Sequence, residues 1–177
     1  MKVLSVEYVK AAREGKTLAE SLALKIVDAY PDQIKKDMII YGDASANSKS
    51  AGSNTTFFAQ VFAELRAAGW KVIARVLKTN PEHKDRFALI DRILAEGSTN
   101  LPRLRINQNT CKALIISMQN SPIGSNMKKD KSSEGTSLQQ EYATHLSDCL
   151  DYILYYKYSS SKPKSSGSGE IRWLSGR

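Results

Sequence analysis

Three short apolar runs, near residues 3–9, 38–41 and 71–77, are separated by two segments with helical periodicity. This alternation is the strongest constraint on the fold. Strands separated by amphipathic helices of ten or more residues pair in parallel, and the helices pack on the sheet. The first helix is expected to begin at Thr17, where Thr17-Leu18-Ala19-Glu20 forms a capping box, and to end before Pro31. Leu18, Leu22, Ile26 and Val27 supply its apolar stripe. The run Met38-Ile39-Ile40-Tyr41 reads as a buried parallel strand that delivers the chain to Gly42-Asp43. A second helix is expected over 56–68, with Phe58, Val61, Phe62 and Leu65 on one face and Gly69 ending it.

Beyond the turn at Asn80-Pro81, a helix is expected over 85–96, a short strand over 104–106 and a short helix over 110–118. Residues 120–135 are rich in Ser, Gly and Lys, which fits a basic loop or hairpin. A last helix is expected over 137–156, followed by a Ser/Gly/Lys/Pro tail over 159–177. The expected organisation is one α/β domain over 1–158, with a mostly parallel sheet and helices on both faces, and a flexible tail over 159–177. A chain of 177 residues is long enough to bury such a core.

Charge and cysteine content narrow the function. The formal net charge of +8 favours a polyanionic partner, nucleic acid first. The two cysteines, Cys111 and Cys149, form no CxxC pair and argue against a zinc site. No apolar run approaches the ~20 residues of a membrane span, and the first residues contain no apolar signal region, so neither a membrane location nor secretion is expected. The stretch 42–50 follows a strand and ends Ser48-Lys49-Ser50, yet both glycines of a phosphate-binding loop are missing. That excludes a nucleoside triphosphatase of that type.

Asp43, just past the C-terminal end of an expected parallel strand, is placed where open α/β sheets bind ligands; a turn cap is the competing role. Glu141, His145, Asp148 and Asp151 follow one another at spacings of four, three and three, on one stripe of the last helix. An acidic solvated face is one explanation. Carboxylates gathered in a basic chain are also what Mg²⁺ or Mn²⁺ acting on DNA would require. Asp85 and Asp91, with Arg86 and Arg92 beside them, fit either local ion pairs or phosphate contacts. Lys128, Lys129 and Lys131 on the basic loop are candidate contacts to a nucleic-acid backbone.

Taken in order, these segments resemble the C-terminal nuclease domain of phage large terminases, the DNA-packaging motors. Ile39-Ile40-Tyr41-Gly42-Asp43-Ala44-Ser45 resembles the strand carrying that family's second acidic metal ligand. Asn80-Pro81 followed by Asp85-Arg86 is similar to its "NP…DR" segment, and Cys111 lies where a cysteine often precedes the next short helix. His145-Leu146-Ser147-Asp148-Cys149-Leu150-Asp151-Tyr152 is similar to its "H-x-S-D-A-x-x-Y" ending, which carries the third ligand. The resemblance covers about residues 1–156 and implies a ribonuclease H-like fold and metal-dependent cleavage of double-stranded DNA, with two Mg²⁺ or Mn²⁺ ions. Asp43 and Asp148 would be the catalytic metal ligands and would approach each other across the sheet edge. Asp85, Asp151 and Glu7 are further candidate ligands, and His145 would orient Asp148 or a metal-bound water. Lys128, Lys129, Lys131 and Arg86 would contact DNA.

The implied partners are the ATPase segment, the small terminase subunit and the portal, in the cytoplasm of an infected host cell. The chain departs from the family pattern at its start. It begins at what resembles the third strand of the sheet, so the first metal-binding aspartate and the ATPase domain are expected to lie outside it. Two alternatives stand beside the nuclease: a non-catalytic DNA-binding or assembly remnant, and another ribonuclease H-like nuclease or resolvase.

Overall fold

The computed structural model describes residues 1–49, 54–132 and 142–159. The order of elements is β1 (Lys2–Val3), α1 (Leu18–Ala29), β2 (Asp37–Ile40), a 3₁₀ turn (Ala44–Asn47), α2 (Phe57–Ala67), β3 (Lys71–Ala74), α3 (His83–Leu94), β4 (Arg105–Ile106), α4 (Lys112–Gln119) and α5 (His145–Tyr158). The class is α/β, with parallel strands. The chain forms two compact units.

The unit formed by Glu7–Asn80 is built on the β2–α2–β3 crossover. Its two strands pair in parallel, with Asp37 opposite Lys71 and Ile40 opposite Ala74. A two-stranded ladder is marginal by itself. Here α2 packs on β3, and α1 packs on α2. Phe58, Val61, Phe62 and Leu65 form the buried face of α2, as expected, together with Trp70, Val72, Ala74 and Val76. Thr17 caps α1 with both bonds of the expected capping box.

The buried face of α1 matches expectation in part, with Ile26 and Val27 packed, half-buried, against this core. Ala19, Ser21 and Ala23 line the face, while Leu18 is half exposed. Small residues let α1 lie close against α2, and polar contacts close that seam: Lys16 Nζ reaches Glu64 at 2.6 Å and Thr17 Oγ1 reaches Gln60 Oε1 at 2.7 Å. β2 is also less buried than an interior strand. Its exposure alternates, and Ile39 is 47% exposed.

The other unit comprises Met1–Val6 and the chain from Pro81 onward. α5 packs against both α3 and α4. Leu89, Ile93, Cys111, Leu114, Leu150 and Leu154 make the centre of its core. The expectation that the strand near residues 3–9 would neighbour those near 38–41 and 71–77 is corrected. β1 spans two residues and pairs in parallel with β4, Lys2 opposite Arg105 and Val3 opposite Ile106. Past Val3, side chains rather than a partner strand engage two of the backbone carbonyls. Thr110 Oγ1 donates to the Leu4 carbonyl, and Lys25 Nζ donates to the Tyr8 carbonyl at 2.8 Å. Instead of one central sheet, the described residues form two two-stranded sheets.

The basic segment after α4 does form a hairpin. Ile123 and Lys129 make an antiparallel bridge, Gly124 N–H donates to the Lys128 carbonyl at 2.8 Å, and Asp130 N–H donates to the Pro122 carbonyl at 2.8 Å. α5 begins at His145, so positions 142–144 of the helix expected over 137–156 precede it; positions 137–141, with Glu141, lie outside the described residues, as do positions 160–177 of the expected tail.

Candidate active site

Asp43 lies just beyond the C-terminal end of β2, as expected, and its carboxylate shapes a turn. It caps the 3₁₀ turn, its Oδ1 accepting from Ser45 N–H at 2.7 Å. The same oxygen accepts from Asn80 Nδ2 at 2.8 Å, and Asn80 Oδ1 accepts from Ala44 N–H at 2.8 Å. Asn80 therefore clamps both the carboxylate and the backbone beside it. The residue before Asp43 has to be small: a Cβ at Gly42 would lie 2.7 Å from the Phe58 ring. The core of this unit thus fixes the path of the loop that presents Asp43.

The second centre is on α5, in the other unit. Asp148 and Asp151 are three residues apart, hence on one side of the helix. Lys129 Nζ stands between them, 3.2 Å from Asp148 Oδ1 and 2.6 Å from Asp151 Oδ2, and donates to Ser147 Oγ at 2.9 Å. The Lys129 and Asp151 side chains are each 12% exposed, so this pair is largely withdrawn from water. Lys131 Nζ lies 3.2 Å from Asp148 Oδ2, and the Arg86 guanidinium lies 3.9 Å from Asp148 Oδ1. Three cations thus face two carboxylates.

Arg86 is itself buried, stacked 4.7 Å from the Tyr152 ring centroid, with His83 Nδ1 3.1 Å from its Nη2. Burial pushes the Asp151 carboxyl above its ordinary range, against the opposing pull of Lys129 and Arg86. The His83 imidazole is held below its ordinary value, first by partial desolvation and then by the nearby charges of Arg86 and Lys128. Beside the cluster opens a cleft of about 160 Å³, walled by Phe87, Ile90, Leu94, Met118, Ile123 and Met127.

The start of α5 is held from outside the helix. Thr144, its N-cap, makes no side-chain cap bond. Ser147 N–H instead donates to Ser117 Oγ of α4 at 3.2 Å, and Ser117 Oγ donates to the Ala143 carbonyl. Ser147 Oγ contacts Ser121 Oγ at 3.0 Å.

Of the expected site residues, the structure gathers Asp148, Asp151, Lys129, Lys131 and Arg86. Asp43 belongs to the other unit. Asp85 is exposed in the first turn of α3, and Glu7 lies 3.9 Å from Lys25. His145 is exposed at the first position of α5, and Lys128 is exposed on the hairpin. Sequence reasoning missed Asn80 as the partner of Asp43, Lys129 as the partner of Asp148 and Asp151, and Ser117 as the cap of α5. Asn80 had been read only as part of a turn and of the segment resembling "NP…DR".

Among the described residues, no three His, Cys, Asp or Glu side chains gather as a metal-binding group. The position between Asp148 and Asp151 is filled by an ammonium group. As arranged, the two carboxylates of α5 do not fit the expected pair of Mg²⁺ or Mn²⁺ ions. Among the described residues, no helix is long and apolar enough to cross a membrane. Compared with family models, curated proteins and solved structures, the chain finds no match in any of the three.

Proposed function

We propose that this chain is a nuclease module of the phage large-terminase kind, with a ribonuclease H-like fold, acting on double-stranded DNA in the cytoplasm of an infected cell. The observation that carries the reading is the meeting of Asp148 with Arg86, Lys129 and Lys131. Two of the resembling segments, Asp85-Arg86 and the one running from His145 to Tyr152, converge there through Arg86 and Asp148. A surplus of cations around a partly accessible carboxylate suits a phosphodiester, whose negative charge needs neutralising. Lys128 and Lys131, both exposed, are the side chains to grip the DNA backbone without reading sequence. Arg86, held by Tyr152 and His83, is a rigid guanidinium suited to one phosphate oxygen. The ATPase segment, the small subunit and the portal are the corresponding partners.

The second reading, a DNA-binding or assembly module without cleavage, is favoured by Lys129 between the two carboxylates and by the capping duty of Asp43. Cleavage of supercoiled plasmid in Mn²⁺ separates the two. The chain supplied with a strand bearing the family's first metal-binding aspartate, fused or in trans, is expected to cut, and Asp148→Ala is expected to abolish cutting. Binding without cutting in every arrangement would decide for the assembly module. Cutting that survives Asp148→Ala would remove that residue from the reaction.

A further inference from the structure

The Lys129 ammonium has three N–H donors and three acceptors within reach: Ser147 Oγ at 2.9 Å, Asp148 Oδ1 at 3.2 Å and Asp151 Oδ2 at 2.6 Å. All three acceptors come from two turns of one helix, so Lys129 is bound much as a cation is bound by an oxygen cage. The hairpin makes this a placed charge rather than a wandering one. Its backbone closes through the Ile123–Lys129 bridge and the Gly124 to Lys128 and Asp130 to Pro122 hydrogen bonds. Lys131, by contrast, is half exposed and touches Asp148 alone among these oxygens.

We propose that Lys129 is the resident counter-ion of the Asp148–Asp151 pair, occupying the position a divalent cation would take, so that a metal enters only by displacing it. The inference rests on the nuclease reading only in taking Asp148 as a carboxylate that divalent ions reach. Two carboxylates this withdrawn from water repel each other and need a cation between them. An ammonium built into the chain fills that need without metal and competes with any ion that arrives. Withdrawal of the hairpin would open the pair, and an arriving DNA backbone offers Lys129 and Lys131 an alternative anion.

The test is calorimetric titration of MnCl₂ into the whole chain without DNA. Lys129→Gln is expected to bind Mn²⁺ roughly ten- to a hundredfold more tightly than the unaltered chain, the range over which neighbouring groups tune metal sites. Adding Asp148→Asn to Lys129→Gln should remove the gain, and Lys131→Gln should give a smaller one. Lys129→Gln binding no tighter than the unaltered chain overturns the proposal, even if plasmid cleavage still requires Asp148. Tighter binding without cleavage in any arrangement leaves the proposal standing and removes the nuclease reading.

Should Lys129→Gln fail to fold, Mg²⁺ titration of the ¹⁵N-labelled unaltered chain replaces it. The amide signals of Lys129 and Asp148 are expected to shift together along one binding curve. Movement of Asp148 without Lys129, or of neither at saturating Mg²⁺, overturns the proposal.

Discussion

At the end of β2 a single carboxylate is held by N–H groups of the backbone and of Asn80, whereas on α5 two carboxylates are held by ammonium and guanidinium groups. The neutral donors around Asp43 fix a geometry. The cations around Asp148 and Asp151 cancel the charge and hold the geometry only while they stay. The first arrangement suits a group whose direction matters; the second suits a group whose surroundings are meant to change. The difference also explains why Asp43 tolerates an exposed partner such as Asn80, while the Lys129–Asp151 pair sits where water is scarce.

The sharpest way to break this comparison is to remove one member of each centre. Lys129→Ala leaves Asp151 and Asp148 facing each other without their bridge, and breaking a largely buried ion pair in this way costs about 3–5 kcal/mol. Urea unfolding should show that loss, and adding Asp151→Asn should recover a large part of it. A loss under about 1 kcal/mol would mean that the carboxylates are paired adequately by Arg86 and Lys131.

Asn80→Ala is expected to cost less, about 1 kcal/mol, because its hydrogen bonds to Asp43 and Ala44 are exposed and water replaces them. A cost as large as that of Lys129→Ala would erase the distinction between the two centres.

The smallest effect expected is a pH dependence. His83 has a folded-state pKa below its ordinary 6.5. As pH falls through 6.5 the unfolded chain takes up the proton first, so the stability present above 6.5 is lost between 6.5 and the lower folded value. His83→Gln should flatten the fall in stability across that window, measured as melting temperature against pH. An identical slope in the variant would place the cause elsewhere.

How much of this was legible in the sequence depended on the reach of each interaction. The capping box at Thr17 and the Phe58–Val61–Phe62–Leu65 face were readable because every partner lies within one or two turns of chain. Gly42 was read only as the neighbour of Asp43; that it leaves room for a ring sixteen positions further on is a contact periodicity does not record. β1 was misread because its pairing partner, β4, is about a hundred residues away. The cation that fills the acidic stripe on α5 was equally obscure. Spacing put Asp148 and Asp151 on one side of a helix, and nothing local could reveal that the side is largely buried or that its cation arrives from a hairpin 19 and 22 residues earlier. Lys129 was read as a DNA contact because a lysine in a Ser/Gly-rich stretch looks solvated.

The Ser117–Ser147 bond has a consequence for how this unit assembles. Most helices carry the cover for their first amides with them, in the residue just before the first turn. α5 depends on a hydroxyl 30 residues earlier in the chain, so its first turn is complete only once α4 has docked. The Ser147 amide is therefore a reporter of tertiary assembly rather than of helix formation. In native-state hydrogen exchange it should open together with the amides of α4 instead of fraying with the end of its own helix.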